Sequence, residues 1–220
     1  LAIEASPGAE GAGRLAVTGA GRAGATDFSL TGSARNLAEM SAADIRLELK
    51  AENDEAAAIY ALLGVPSIGL GLAGRAETAV VLSGDMKNGF AVEASIAGSD
   101  LTGRFDGTAR MEDEGISASG KVALKAGDIE PWLMTGTLAL PGMGLGTPVD
   151  LAAEADYRDG LLILAGLSGT VAGGAVNGDV NVELADGLPH VTGELTLDSL
   201  DLAMPAAMLV GEDALEAGSS

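Results

Sequence analysis

The stretch LTGRFDGTARM, Leu101 to Met111, decides how the rest of the chain is read. Its odd positions are Leu101, Gly103, Phe105, Gly107, Ala109 and Met111; its even positions are Thr102, Arg104, Asp106, Thr108 and Arg110. A period of two is that of a strand with one dry and one wet face, and it is incompatible with the 3.6-residue period of a helix. The next run repeats it, with Ile116, Ala118, Gly120, Val122 and Leu124 on one side and Ser117, Ser119 and Lys121 on the other. Working outward, the same alternation runs through Phe28-Leu30-Gly32-Ala34, Ile45-Leu47-Leu49, Phe90-Val92-Ala94-Ile96, Val180-Val182-Leu184 and Val191-Gly193-Leu195-Leu197. Turn signals punctuate these runs at Lys87-Asn88-Gly89, Glu114-Gly115, Arg158-Asp159-Gly160 and Ala185-Asp186-Gly187. The chain therefore reads as all-β and mainly antiparallel, a β-meander.

Helical signal is scarce. Asn53 or Asp54 can cap a helix reaching about Leu63 and ended by Gly64 and Pro66; a second candidate runs from Pro205 through Leu209, and a third is a single turn at Pro131-Trp132-Leu133. These read as short helical plugs. The sequence also repeats. Gly89 and Gly160 close similar hairpin signals, 160 − 89 = 71, and Gly98, Gly103 and Gly107 match Gly169, Gly174 and Gly178 at the same offset. GKVALKAGDI from Gly120 matches GELTLDSLDL from Gly193 after a two-residue slip. The expected organisation is the tail of a preceding β-repeat over 1–52, a unit with an N-terminal helix over 53–130, a second unit over 131–203, and a further plug or tail over 204–220. Repeats of this size stack along one axis. A chain that opens on Leu1 and stops at Gly218-Ser219-Ser220 is read as a piece of a longer protein.

Composition narrows the function classes. Twelve basic against thirty-two acidic residues leave a net charge of −20, which argues against nucleic acid or an anionic membrane surface as partner. Hydrophobic residues make up 47%, too many for a disordered acidic tail, yet aromatics are only 3%. There is no cysteine, which excludes disulfides, thiol nucleophiles and cysteine-held zinc. The apolar run Leu161 to Leu167 is far too short to span a bilayer.

No stretch carries a convincing enzymatic constellation. Gly19-Gly21-Gly24 and Gly69-Gly71-Gly74 match a dinucleotide spacing, but strand-like alternation follows both where a helix N-terminus is needed. Asp179, Asn181, Glu183 and Asp186 fit the wet face of a strand better than a calcium loop, whose register they miss. His190 has no G-x-S-x-G elbow to serve, since Gly166-Leu167-Ser168-Gly169 lacks the spacing, and it reads as a strand-edge histidine. Trp132 beside Pro131 reads as part of a plug against the sheet end. No catalytic residue, cofactor or metal site is expected.

The order of a short helix, Gly-Val-Pro, Gly-rich alternating strands, Asx-Gly hairpins and G-x-L-x-L-x-x-L-D-L resembles the AsmA and TamB-like proteins of Gram-negative envelopes. DEAAAIYALLGVP (Asp54 to Pro66) and GLSGTVAGGAVNGDVNVELADGLPHVTGELTLDSLDL (Gly166 to Leu202) carry the resemblance, which covers about residues 10–210. It implies an elongated, curved, groove-like sheet, bent like a taco or half-pipe. The groove would shelter lipid acyl chains in the periplasm between inner and outer membrane, in a protein anchored through parts outside this segment.

The alternation itself poses the question of what covers the apolar face. Two sheets could close over each other, or one could curl around an apolar ligand. Small interior residues such as Gly103, Gly107, Ala109, Ala118, Gly120 and Gly193 favour curvature over dense packing. The candidate groove-lining residues are Phe28, Leu30, Leu47, Phe90, Val92, Ile96, Leu101, Phe105, Met111, Ile116, Val122, Leu124, Val180, Val182, Leu184, Val191, Leu195 and Leu197. Leu101, Phe105, Met111, Ile116, Val122 and Leu124 are expected to face one shared cavity or core. Expected partners are phospholipid or other acyl chains and neighbouring repeats of the same chain. The alternative is a structural or adhesive β-repeat module, like an autotransporter passenger, with no lipid cargo.

Overall fold

A computed structural model describes residues 2–7, 14–39, 42–62, 74–112, 115–131, 146–185 and 188–198. Among the described residues, twelve strands form one open sheet in sequence order, each antiparallel to the next. They are β1 (Ala2–Pro7), β2 (Arg14–Ala23), β3 (Thr26–Arg35), β4 (Asp44–Asn53), β5 (Ala76–Asp85) and β6 (Gly89–Gly98), followed by β7 (Leu101–Glu112), β8 (Gly115–Ala126), β9 (Val149–Arg158), β10 (Leu161–Val171), β11 (Gly174–Ala185) and β12 (Leu188–Leu197). An α-helix, α1 (Ala56–Leu62), lies between β4 and β5. The expected curved all-β meander is the fold.

The hairpin turns have the backbone that strand twist demands. Asp159 and Gly160 have φ of 52° and 81°, and Ala172 and Gly173 have 50° and 83°; positive φ at both central residues matches the twist of the flanking strands. Asp85 closes the β5–β6 turn by accepting the N–H groups of Lys87 and Asn88 at 2.9 and 2.7 Å. Hydrogen bonds from the Asn88 side chain and then its backbone hold the Asp85 carboxyl below its usual range.

Strand starts recur at 73 residues rather than 71, with β6 and β10 at 72. Strands β5 and β9 begin at Ala76 and Val149, β7 and β11 at Leu101 and Gly174, and β8 and β12 at Gly115 and Leu188. Two backbone bonds repeat the same spacing: Ala56 N–H to Gly74 carbonyl and Ile129 N–H to Thr147 carbonyl, with 129 − 56 = 73 and 147 − 74 = 73. The offset of 71 aligned Gly89 with Gly160, yet Gly89 opens β6 opposite Asp85 while Gly160 sits in a turn. It likewise aligned Gly103, inside β7, with Gly174, which opens β11. A slip of two residues leaves every glycine on its original face, so glycine spacing alone cannot detect it. The match of Gly120 with Gly193 already had the correct frame. Residues 2–53 hold four strands, as many as each later unit.

Asn53 starts α1 by accepting the Glu55 N–H at 2.8 Å, and Asp128 accepts the Glu130 N–H at 3.0 Å where the next helical turn begins at Glu130 and Pro131. The expected helix end at Gly64 and Pro66, the side chain of Trp132 and the plug from Pro205 lie outside the described residues. Because each unit has four strands, the connections β4–β5 and β8–β9 leave from the same ends of the strands. This crossover rim also carries the core: Ala51, Ala56, Ile59, Tyr60, Ala76, Leu101, Ala126 and Val149 are buried together, with Phe28, Ile96, Leu124, Ile129, Leu151 and Val171 packed against them. The opposite rim, carrying the β5–β6, β7–β8 and β9–β10 hairpins, is here called the turn rim.

Candidate functional site: a charge-free face

The ladder register places every strand residue on one of two faces. Across the sheet, the rung Leu82, Val92, Gly107, Gly120, Ala155, Leu164, Val180 and Gly193 is continuous, as is the rung Ile96, Gly103, Leu124, Leu151, Gly169, Val176 and Leu197. In β10 the parity changes at Ala165-Gly166, where one extra residue bulges out. Gly166 takes φ 59° there and donates its N–H to Asp179 Oδ1 at 2.8 Å. The bulge keeps both Leu164 and Leu167 on the apolar face, which strict alternation would not.

Followed from β2 to β12, the described residues of that face include no Asp, Glu, Lys or Arg. The charged residues of these strands all stand on the back. There Lys125 meets Asp150 at 3.1 Å, Arg104 meets Asp106 at 3.5 Å, and Arg158 meets Glu112 at 3.7 Å, all exposed to water. Such pairs contribute little stability. Hollows of about 460 and 820 Å³ also lie on this charged back, the first bounded by Asp27, Lys50, Glu52 and Glu77, the second by Arg104, Asp106, Lys121 and Glu154. Three carboxylates and one lysine border the first, two cations and two carboxylates the second, so an acyl chain in either would lie beside ionised groups.

Every candidate groove residue whose side chain is described stands on the charge-free face, from Phe28 and Leu30 on β3 and Leu47 on β4 to Val191, Leu195 and Leu197 on β12. Leu184 pairs with Pro189 in the backbone ladder, and its side chain lies outside the described residues. The face is not one enclosed cavity, however. Leu101 is 7% exposed, packed at the crossover rim, whereas Met111 and Ile116, paired with each other at the turn rim, are 60% and 56% exposed. Phe105, Val122 and Leu124 between them are half-buried. The expectation of a single shared cavity or core fails at Met111 and Ile116, because the second layer supplied by α1 reaches only the other rim. Val191 and Leu195 are 59% and 51% exposed because β12 is an edge strand of the sheet.

The residue that sequence reading missed is Tyr60. Ala56, Ile59 and Tyr60 share the i, i+3, i+4 face of α1 and are fully buried, a spacing visible in the sequence. Gly98 makes room for the phenol: a Cβ there would clash with the Tyr60 hydroxyl. That hydroxyl donates to Asp100 Oδ1 at 3.5 Å, and burial, followed by the Asp100 charge, pushes its pKa up to about 12. Beside it, Asn53 Nδ2 donates to Thr26 Oγ1 at 2.7 Å, a buried pair that satisfies both side chains.

The residues considered for chemistry take ordinary places. Gly19 and Gly21 are mid-strand in β2, and β3, not a helix, follows the turn at Gly24. Gly69 and Gly71 lie outside the described residues. His190 faces Glu183 across the β11–β12 ladder. Asp179 is engaged by the bulge, Asp186 lies outside the described residues, and among those described no group of acidic or histidine side chains converges on a metal-sized space. No helix among them is long and apolar enough to cross a membrane. Comparison with protein-family models, with curated proteins and with solved structures returns no match.

Proposed function

We propose that this chain is a segment of an AsmA-like lipid-bridge protein of the periplasm, whose apolar half-pipe shelters lipid acyl chains in transit between the inner and outer membranes. The observation that carries the reading is the partition of charge: from β2 to β12, one face without a single ionised side chain among the described residues, and a net charge of −20 whose described strand-borne part stands on the other. An apolar face of this extent far exceeds the patch of about 300–600 Å² usual on a soluble monomer. Each CH₂ it shields contributes about 0.8 kcal/mol, so a two-chain lipid gains a substantial fraction of its transfer energy without any chemistry. The charged back keeps the segment soluble and discourages stacking of copies. Its partners in this reading are phospholipid chains and further repeats of the same polypeptide.

The test is photo-crosslinking of a diazirine-bearing phospholipid to the purified chain, with Val182→Glu and Leu195→Glu as variants and Glu183→Gln on the back as control. Lipid carriage predicts labelling of the wild type and the control and a sharp fall in both variants. A structural or adhesive module predicts no labelling of any form, and that result would remove the proposal.

A further inference from the structure

The two rims of the half-pipe are not equivalent, and three observations define the difference. Exposure rises along neighbouring strands in the same direction: from Leu101 through Phe105 to Met111 on β7, from Ala126 through Val122 to Ile116 on β8, and from Val149 through Ala153 to Tyr157 on β9. The crossover rim is filled by α1 and its core, and the turn rim is open. Hydrogen-bonding side chains on the charge-free face are segregated as well. Thr26, Asn53 and Thr78 lie toward the crossover rim and are satisfied there, Thr26 and Asn53 by each other and Thr78 by the Ser95 carbonyl. On β7, β8 and β9 every charge-free-face position is Gly, Ala, Val, Leu, Ile, Phe or Met until Tyr157 at the turn rim. An occupant of that stretch finds no side-chain hydrogen-bond partner, which suits hydrocarbon and penalises a peptide strand or a sugar by the cost of each orphaned polar group. Finally, Tyr157 places an amphipathic ring, part exposed, at the opening, the position such rings take where an apolar phase meets water.

We infer that lipid enters and lies across the turn rim, with its headgroup level with Met111, Ile116 and Tyr157 and its methyl ends directed toward α1. This rests on the lipid-carrying reading and gives it a side and an orientation. The dimensions fit. At about 3.4 Å per residue, the eight steps from Met111 to Gly103 span about 27 Å, more than the ~15 Å depth of one bilayer leaflet's hydrocarbon. The chains are accommodated before the buried rim at Leu101 begins. With no cation on the face, the headgroup is left in solvent and its identity unread.

The experiment uses two phosphatidylglycerols, one with a diazirine at an acyl terminus and one with it in the headgroup, each delivered from phosphatidylethanolamine–phosphatidylglycerol vesicles. Crosslinked peptides are then mapped by mass spectrometry. The acyl-end probe is expected to label peptides containing Phe105, Val122 and Ala153 several-fold over those containing Met111, Ile116 and Tyr157, with the headgroup probe showing the reverse. Inverted or indistinguishable patterns overturn the orientation while leaving lipid carriage intact. No labelling by either probe of protein with a native circular dichroism spectrum overturns the inference together with the reading beneath it.

Discussion

Three glutamate substitutions on one face convert the exposure gradient into a stability series. Leu101→Glu, Val122→Glu and Met111→Glu replace apolar residues that share the charge-free face but sit at the filled rim, the middle and the open rim. At Leu101, 7% exposed within the cluster of Ile59, Tyr60 and Ala126, the change forfeits about 1.5–3 kcal/mol of burial and leaves a carboxylate unpaired. The neighbouring Asp100 adds repulsion, so a loss of about 3–5 kcal/mol is expected, a large share of the roughly 5–15 kcal/mol that holds a domain together. At half-buried Val122 the carboxylate can reach water along the groove, and the expected cost is about 1–3 kcal/mol. At Met111, 60% exposed, the cost should stay within about 0.5 kcal/mol. Urea unfolding followed by far-ultraviolet circular dichroism at matched slopes reads all three. Should Leu101→Glu not fold at all, Leu101→Ala supplies the filled-rim value, expected at about 2–5 kcal/mol. Met111→Glu as damaging as Leu101→Glu would mean that the turn rim is covered, and the account of an open half-pipe would fall with it.

Two further outcomes follow from the crossover rim. Asn53→Ala removes both the bond to Thr26 and the cap on Glu55, and should cost about 2–4 kcal/mol in chemical denaturation; a loss below about 0.5 kcal/mol would refute the cap's role. Because burial and Asp100 raise the Tyr60 pKa from 10.0 to about 12, the neutral phenol favours the folded state. Its contribution is whole below pH 10 and fades between pH 10 and 12 by roughly 2–3 kcal/mol, so wild type minus Tyr60→Phe should lose that much over this window and stay flat below it.

What the sequence made legible is what periodicity controls. Alternation assigned Phe105 and Arg104 to opposite faces, because a strand's side-chain period is fixed by its backbone. Asn53 announced its cap by residue type and position. Three features escaped. The turn at Ala172-Gly173 has positive φ on an alanine, which no turn propensity would select; the ladders of β10 and β11 impose it. The difference between Leu101 and Met111 escaped as well, since both occupy the same phase of one strand and only the docking of α1 separates them. A two-residue slip in the repeat frame was invisible to glycine spacing for the reason that made the faces so clear: both obey a period of two.

The open side has a topological cause. Each 73-residue frame contains four strands, an even number, so the chain always returns to the rim it left before making its long connection. The connections from β4 to β5, beginning with α1, and from β8 to β9, beginning with the turn at Glu130, therefore leave and rejoin the sheet at the same rim, and an Asx side chain, Asn53 or Asp128, starts each. An odd number of strands per frame would place successive plugs on alternate rims and obstruct both. With four, among the described residues one rim collects α1 and most of the buried residues, while the other carries strand-to-strand turns, with Ala43 buried in the β3–β4 connection. A free margin then runs from strand to strand as far as the repeat continues. In the function proposed, that parity converts a local pattern of apolar and polar residues into a continuous lateral opening, along which lipid need not thread past a plug at each unit.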